Sequence, residues 1–449
     1  MISVDEPGDL FPRPPALRCY KWEEKKMILY KNFRYQELFD SVSGLLTGRI
    51  SPEAEPELPD RLAGELVELA ATYGFEGNLW HCFLAFCLAN NENAYSRACE
   101  IVGPVAGTIN QMALKDFGEI KGLFDIDIAK LDREGECLWA FLKKYEGTSD
   151  SSHVFNKRIR DRIVELAVAL EMASTVKEFG QIVTEFYREF GVGRFGLNKA
   201  FRINETSGGT DIIPITSIEH VYLKDLVGYE IQKRKLIDNT EAFIQGRAAN
   251  NVLLYGDSGT GKSSSIKAIL NQYYDRGLRM IEVYKHQFKC LSEVLEQIKD
   301  RNYKFIIYMD DLSFEDFEIE YKYLKAIIEG GLGKKPQNVL IYATSNRRHL
   351  IREKFSDKRE ILDDLHANDT VQEKLSLVAR FGVTIYYGAP EKKEFQEIVK
   401  VLAERCGVDM EKEELLAEAN KWELSHGGLS GRTASQFITH LLGKDEKGE

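Results

Sequence analysis

Eight consecutive residues carry a pattern that binds phosphate groups. Residues 256–263 read Gly-Asp-Ser-Gly-Thr-Gly-Lys-Ser, an unbroken G-x-x-x-x-G-K-S between an apolar run and a stretch with helical spacing. In such a loop the backbone N–H groups surround phosphate oxygens, and the positive end of the following helix adds to their attraction. Lys262 would contact the β- and γ-phosphates, and the Ser263 hydroxyl would contact Mg²⁺. The predicted nucleotide-binding residues are Gly256, Asp257, Ser258, Gly259, Thr260, Gly261, Lys262, Ser263 and Ser264.

Two acidic residues follow a second apolar run. Residues 305–309 (Phe-Ile-Ile-Tyr-Met) are typical of a buried strand, and Asp310 and Asp311 come directly after them. A carboxylate beside the phosphate loop can hold Mg²⁺ through its water shell, and we assign that role to Asp310. We expect Asp311 to orient or deprotonate the attacking water. The alternative is an Asp-Asp pair that caps a strand at the surface.

Three more polar residues extend the pattern toward the C-terminus. Asn346 follows the apolar run 338–343 and is predicted to hydrogen-bond the γ-phosphate and the lytic water. Arg380 precedes another apolar run, 383–387, and is predicted to reach the nucleotide of a neighbouring subunit as an arginine finger. Arg432 lies near the start of a helix, where it would sense the γ-phosphate from a lid. The alternatives are a turn residue at Asn346 and a surface ion pair at Arg380.

The elements that must position these residues alternate between strand and helix. Such a rhythm predicts a parallel α/β sheet with right-handed crossovers and a ligand site at the carboxyl ends of its strands. The five predicted strands are residues 252–255, 280–283, 305–309, 339–343 and 383–387. The predicted organisation is a Pro-rich tail (1–18), a mostly α-helical N-terminal domain (19–190), a Gly-rich junction (191–217), an α/β core (218–388) and a helical lid (389–445).

This order of motifs resembles that of AAA+ ATPases. Residues 225–229 (Asp-Leu-Val-Gly-Tyr) are similar to the segment that packs on the adenine in that superfamily, which implies base contacts from Val227 and Gly228. The runs M-D-D-L-S-F-E, Y-A-T-S-N-R-R-H-L, D-T-V-Q-E-K-L-S-L and L-S-G-R-T-A-S-Q-F resemble an uncharacterised family of bacterial AAA+ ATP-binding proteins, the domain of unknown function 815, over residues 190–445. The resemblance implies the AAA+ P-loop NTPase fold, ATP and Mg²⁺ as cofactors, ATP hydrolysis and a homo-oligomer in the ATP-bound state. Residues 378–379 (Val-Ala) depart from the polar residue and acid expected before Arg380.

Two functions agree with these residues. One is an oligomeric ATPase that remodels or loads a macromolecular partner, and the other is a slow-turnover switch or adaptor that assembles a complex. Asn346, Arg380 and Arg432 favour turnover, because each is placed to stabilise charge on the transferring phosphoryl group. A small-molecule kinase is disfavoured by the separate helical lid.

The partner is not identified by the sequence. Residues 284–288 contain aromatic side chains but no glycine, which argues against a protein-threading loop. A basic run after Asn346 would touch phosphates or a neighbouring subunit, or would form a solvated helix face. Its members are Arg347, Arg348, His349, Arg352 and Lys354.

Composition excludes several other classes of function. A net charge of −11 over 449 residues argues against a broad surface that coats nucleic acid. The seven cysteines form no C-x-x-C pair, so we expect reduced thiols and no zinc site. The apolar run 80–89 is about half the length that crosses a bilayer, and the first residues do not form a leader, so a cytoplasmic protein without membrane insertion is expected. Residues 191–196 match G-x-G-x-x-G but follow a helical pattern, which disfavours a dinucleotide site.

Overall fold

The chain divides into two compact units. The computed structural model describes residues 27–104, 106–147, 155–206, 208–216, 218–314, 320–329, 336–346 and 377–445. The first unit comprises Met1–Tyr95, Ala106–Phe155 and Ile163–Ile182. The second unit comprises Ser96–Val105, Asn156–Arg162 and Val183–Glu449. It therefore includes three segments of the helical region, residues 96–105, 156–162 and 183–199, as well as the sheet.

The region before the sheet is helical where it is described. Its helices are α1 (Gln36–Leu46), α2 (Leu58–Tyr73), α3 (Leu79–Asn90), α4 (Ala94–Val102), α5 (Thr108–Phe124), α6 (Leu138–Lys143), α7 (Lys157–Glu171), α8 (Val176–Phe190) and α9 (Gly193–Leu197). Within the first unit, α3 lacks a polar face and is buried from Leu79 to Ala89, so it forms the centre of that core. The buried Asp116 carboxylate accepts hydrogen bonds from the N–H groups of residues 28–30. In the described parts of the chain, we find no helix long and apolar enough to cross a membrane.

The second unit is built on a mostly parallel sheet. Among its described residues, seven strands lie in the order β2-β1-β4-β5-β6-β3-β7, and β2 alone runs antiparallel to its neighbour. The strands are β1 (Ala200–Thr206), β2 (Gly209–Pro214), β3 (Val252–Gly256), β4 (Leu278–Glu282), β5 (Lys304–Met309), β6 (Val339–Ser345) and β7 (Val383–Tyr387). The observed fold class is therefore α/β, as expected.

The prediction of a five-stranded sheet is wrong. Within the segment predicted as a Gly-rich junction, Ala200–Thr206 and Gly209–Pro214 pair as β1 and β2 and add two strands to the sheet. Phe201 and Ile203 alternate with polar residues and are buried, which is a strand pattern. Gly209 has φ +126° directly after the turn, a conformation that favours glycine. The glycines of this segment therefore mark a hairpin turn within the sheet.

Each central strand is buried on both faces. On β5, Phe305, Ile307 and Met309 belong to one core, whereas Ile306 and Tyr308 belong to the other. Such double burial requires helices on both sides of the sheet. Helices α10 (Glu230–Ile244) and α11 (Lys262–Tyr273) cover the face of Tyr308, and α12 (Leu291–Ile298) and α13 (Glu320–Glu329) cover the opposite face.

Three helices follow β7 and form a small core of their own. They are α14 (Lys392–Cys406), α15 (Lys412–Ser425) and α16 (Gly431–Asp445). Phe395, Ala419 and Phe437 are buried between them. Glu391 and Glu394 form a capping box that fixes the start of α14, and Gly407 ends that helix in the left-handed conformation. This helical subdomain, which we call the lid, lies next to the carboxyl ends of the strands through Arg432, whose N–H donates to the Gly259 carbonyl at 3.2 Å.

Candidate functional site

The phosphate loop joins the end of β3 to the start of α11. Gly256 has φ +135°, and a Cβ atom there would lie 2.1 Å from the Tyr387 carbonyl oxygen on β7, so only glycine fits. The next residue, Asp257, donates its N–H to the same Tyr387 carbonyl at 2.9 Å. The loop is therefore pressed against the end of β7, and α11 begins at Lys262 with its N-terminus at the loop.

Lys262 folds back over the loop. Its side chain is buried, and its Nζ donates to the carbonyl oxygens of Gly256 at 3.1 Å and Asp257 at 2.6 Å. Burial lowers the pKa of Lys262, while the negative charges of Asp257, Asp311 and Asp310 oppose that shift. A cationic amine held by neutral carbonyls is placed to exchange them for phosphate oxygens, which are stronger acceptors.

Asp310 lies at the end of β5 and closes the other side of the site. Its Oδ1 accepts hydrogen bonds from the Ser263 hydroxyl at 2.7 Å and from the Thr344 hydroxyl at 2.6 Å. Burial alone would raise the pKa of Asp310, but the hydrogen bonds from Thr344 and Ser263 outweigh it and hold the pKa below its usual range. Asp310 is therefore an ionised carboxylate within hydrogen-bond reach of the phosphate loop.

Asp311 adopts an uncommon backbone conformation. Its φ is +49°, in the left-handed region that few residues other than glycine occupy. Its N–H donates to the Thr344 hydroxyl oxygen at 2.9 Å, and its Oδ1 accepts a hydrogen bond from the Asn346 amide at 2.9 Å. The next residue, Leu312, donates its N–H to the Thr344 carbonyl at 2.7 Å. Two residues at the end of β6 thus hold Asp311 in place.

The lid contacts the phosphate loop at two places, the segment that joins β7 to α14 and the start of α16. The Asp257 Oδ2 accepts a hydrogen bond from the N–H of Ala389 at 2.7 Å, where the chain leaves β7 for the lid. The Tyr229 hydroxyl donates to the Gly388 carbonyl at 2.9 Å. Together with the Arg432 bond to Gly259, these contacts connect the phosphate loop to both ends of the lid.

A cavity of about 690 Å³ opens between the loop and the lid. Its volume lies within the usual range for small-molecule sites, about 300–1,000 Å³. The predicted site residues that line it are Val227, Ser258, Gly259, Thr260, Gly261, Lys262, Ser263, Ser264, Asp310, Asp311, Asn346 and Arg432. Gly228 borders an adjoining groove, and Gly256 and Asp257 underlie Lys262. Arg380 lies in the turn before β7 and is not among the described residues that line this cavity.

Several lining residues are not among the site residues that the sequence predicts. Ile398 and Leu402 of α14 present apolar side chains, and Gln436 of α16 presents an amide. Thr344 also lines the cavity, and its position in the run before Asn346 was a signal that could have identified it. Ile398 and Leu402 have the spacing of ordinary core residues on a helix. The sequence alone therefore cannot distinguish residues that line the cavity from residues of the core.

Other features noted in the sequence lie elsewhere. Residues 191–196 follow the end of α8, and Gly191 makes room for Tyr303, whose hydroxyl would lie 1.3 Å from a Cβ atom there. The aromatic segment after β4 forms a 3₁₀ helix, Lys285–Cys290. The basic run 347–354 and the tail 1–18 lie outside the described residues. No group of three or more His, Cys, Asp or Glu side chains that could hold a metal ion is found in the portion of the chain that the structure describes.

Comparisons with known proteins place the sheet and lid within a family. The family model described as "Protein of unknown function (DUF815)" matches residues 197–445. Among solved structures, a RuvB mutant from Thermotoga maritima is similar at 18% identity and a TM-score of 0.35, over 49% of this chain and 64% of that chain, which is less than two thirds of its length. The FIGL-1 AAA domain in complex with ADP is similar at 17% identity and a TM-score of 0.35, over 52% of this chain and 76% of that one. A comparison with curated proteins gives no significant match.

Proposed function

We propose that this chain, which belongs to the DUF815 family, binds ATP together with Mg²⁺ and hydrolyses it to ADP and phosphate. The observation that carries the proposal is a hydrogen bond between the phosphate loop and the end of β5: the Ser263 hydroxyl donates to the Asp310 carboxylate at 2.7 Å. The Ser263 hydroxyl and the Asp310 carboxylate are oxygen ligands of the kind that Mg²⁺ prefers. A surface Asp-Asp pair would not require this contact with the loop.

ATP would bind with its phosphates on the loop and its base toward Val227. The loop N–H groups and the N-terminus of α11 would bind the phosphate oxygens. Lys262 would leave the carbonyls of Gly256 and Asp257 and pair with the β- and γ-phosphates. The apolar side chains of Ile398 and Leu402 supply the surface on which an adenine ring can pack.

Mg²⁺ fits the oxygen atoms at the end of β5. Ser263 and Asp310 would hold it, and the ion usually keeps several waters in place of further protein ligands. Tyr308 lies two residues before Asp310, and a hydrogen bond from its buried hydroxyl also helps to hold the pKa of Asp310 below its usual range, which keeps the proposed metal ligand ionised. When bound, Mg²⁺ neutralises charge that develops on the β- and γ-phosphate oxygens.

Hydrolysis would depend on the polar groups beside the γ-phosphate. Asp311 would orient and deprotonate the attacking water, and Asn346 would hold Asp311 and contact the γ-phosphate. Arg432 would approach the γ-phosphate from the lid, since its backbone already touches the loop at Gly259. Arg380 would supply the equivalent positive charge to a neighbouring subunit.

The proposed biological role is ATP turnover at the interfaces of a homo-oligomer, coupled to remodelling or loading of a macromolecular partner. The competing role is a slow-turnover switch or adaptor. Mixing two inactive variants separates these roles. Arg380→Ala should bind ATP but turn over about 10³–10⁵-fold more slowly, the range measured for arginine fingers.

Addition of Lys262→Ala subunits, which retain Arg380, should restore part of the phosphate release by Arg380→Ala. The control is Arg432→Ala, which acts within its own subunit and should not be rescued. If Arg380→Ala turned over ATP like wild type, or if mixing restored no activity at concentrations where the protein is oligomeric, Arg380 would not be an arginine finger. The adaptor role would then be favoured.

A further inference from the structure

Thr344 lies between the phosphate loop and the two acids because of the strand order. β6 is placed between β5, which ends just before Asp310, and β3, which leads into the loop, so the end of β6 lies beside both. Side chains alternate along a strand, and Leu340 and Tyr342 face the core under α11. Thr344 has the same parity and is buried on that side, at 2% exposure. Its hydroxyl therefore points to the face of the sheet that α11 covers, and Ser263 lies in the first turn of that helix.

The hydroxyl of Thr344 bridges both acids in one defined direction. A hydroxyl has one proton to donate and lone pairs to accept with. The ionised carboxylate of Asp310 can only accept, and the backbone N–H of Asp311 can only donate. The Thr344 proton therefore goes to Asp310 Oδ1 at 2.6 Å, while its oxygen accepts from Asp311 at 2.9 Å.

This bridge has a separate consequence for each acid. Asp310 Oδ1 is occupied by two hydroxyl donors, Ser263 and Thr344, so the orientation of the carboxylate is fixed. Asp311 is kept in the left-handed conformation, which persists only where its surroundings enforce it. The Thr344 carbonyl reinforces that turn by accepting the N–H of Leu312.

We propose that Thr344 is a positioning residue that couples the two acids. Its one hydroxyl fixes both the orientation of the Asp310 carboxylate, which would face Mg²⁺, and the backbone turn at Asp311, which would act as the base. The inference rests on the proposed ATPase function and adds to it a residue whose type the phosphate-loop motif does not specify. Thr344 would not itself contact the nucleotide. It acts through Asp310 and Asp311.

Two comparisons measure the effect of the hydroxyl alone: wild type against Thr344→Val, and Thr344→Ser against Thr344→Ala. Thr344→Val replaces it with a methyl group of the same shape, and Thr344→Ser against Thr344→Ala makes the same comparison without the γ-methyl group. Loss of the hydroxyl should raise the Mg²⁺ concentration for half-maximal turnover about 10-fold or more and lower kcat about 10-fold or more, as expected for a hydrogen bond to a charged group. Thr344→Ser should stay within about threefold of wild type on both measures.

ATP binding in EDTA supplies the readout that distinguishes positioning from a general structural role. Binding of a fluorescent ATP analogue without Mg²⁺ should change less than about twofold in every variant, because the loop is untouched. A variant that merely loosened the fold would lose this binding together with its melting temperature. If Thr344→Val does not fold, the Ser and Ala pair carries the test alone.

Equal Mg²⁺ dependence and kcat in the hydroxyl-bearing and hydroxyl-free variants would overturn the inference. Loss of function in Thr344→Ser equal to that in Thr344→Ala would overturn it too. A wild-type chain that neither binds nor hydrolyses ATP would instead contradict the proposed function, so the two failures are distinguishable.

Discussion

Lys262, Ser263 and Asp310 are close together because the carboxyl ends of parallel strands meet at one edge of the sheet. Their motif and spacing allowed each to be predicted from the sequence. The run before Asn346 places Thr344 near the site, but its hydrogen-bonding role depends on β6 lying between β5 and β3 and is not visible in the sequence. Threonine at a strand end is otherwise an ordinary β-branched residue. The geometry of Asp311, with φ +49°, likewise has no signal in the sequence.

Asp311→Asn should separate nucleotide binding from turnover. Asparagine retains an oxygen that can accept the hydrogen bond from Asn346, but it cannot take a proton from water. We expect ATP affinity close to that of wild type and a kcat about 100-fold lower, the scale of a general-base contribution. Phosphate release and fluorescent-ATP titration measure the two quantities. The exposed Asp300→Asn serves as the matched control, and normal turnover by Asp311→Asn would make Asp311 a structural residue.

At the scale of elements, the five strands predicted from apolar runs are all present. Such strands are detected because burial on both faces leaves an uninterrupted apolar run. The hairpin of β1 and β2 is not predicted, because its strands contain polar residues in place of an uninterrupted apolar run and its turn contains glycine. The sequence predicts a helical lid but not its contacts with the loop, since Asp257 and Ala389 are 132 residues apart in the sequence.

The contact of Asp257 with Ala389 predicts a pair of variants with different ATP affinities. Asparagine removes the negative charge next to Lys262 but keeps an acceptor for the Ala389 N–H, whereas alanine removes both. Asp257→Asn should bind ATP at least as tightly as wild type, because less negative charge faces the phosphates. Asp257→Ala should bind about 2–10-fold more weakly than Asp257→Asn, the range of a typical hydrogen bond. Equal affinities in a calorimetric titration would show that the link to the lid does not affect binding.

At the scale of the whole molecule, the second unit depends on residues from the helical region. Glu100 and Arg301 form an ion pair at 3.0 Å whose side chains are 2% and 8% exposed. The same Glu100 carboxylate accepts the N–H of Val192 at 3.0 Å, and the Glu100 carbonyl accepts from the Asn302 amide at 2.9 Å. Sequence alone gave no sign of this, because the partners are 201 residues apart. The α/β unit is therefore not specified by residues 197–445 alone.

Glu100→Ala should destabilise the second unit strongly. It leaves the buried Arg301 guanidinium without its anion, and breaking a buried ion pair on one side costs about 3–5 kcal/mol. The free energy of unfolding of the second unit can be measured in denaturant, with the release of a bound fluorescent ATP analogue as the signal. Glu397→Ala removes an exposed partner of Lys400 and should change stability by less than about 1 kcal/mol. An unaltered midpoint for Glu100→Ala would show that the segment 96–105 is dispensable.

A calorimetric titration with Mg–ATP measures whether the loop at 256–263 binds ATP. In the proposed site Lys262 would supply the main positive charge to the β- and γ-phosphates, so wild type should bind and Lys262→Ala should show no measurable binding. The exposed Lys421→Ala, which changes net charge equally, should bind like wild type. If a folded Lys262→Ala bound ATP with wild-type affinity, or if wild type did not bind it, the loop would not be an ATP site.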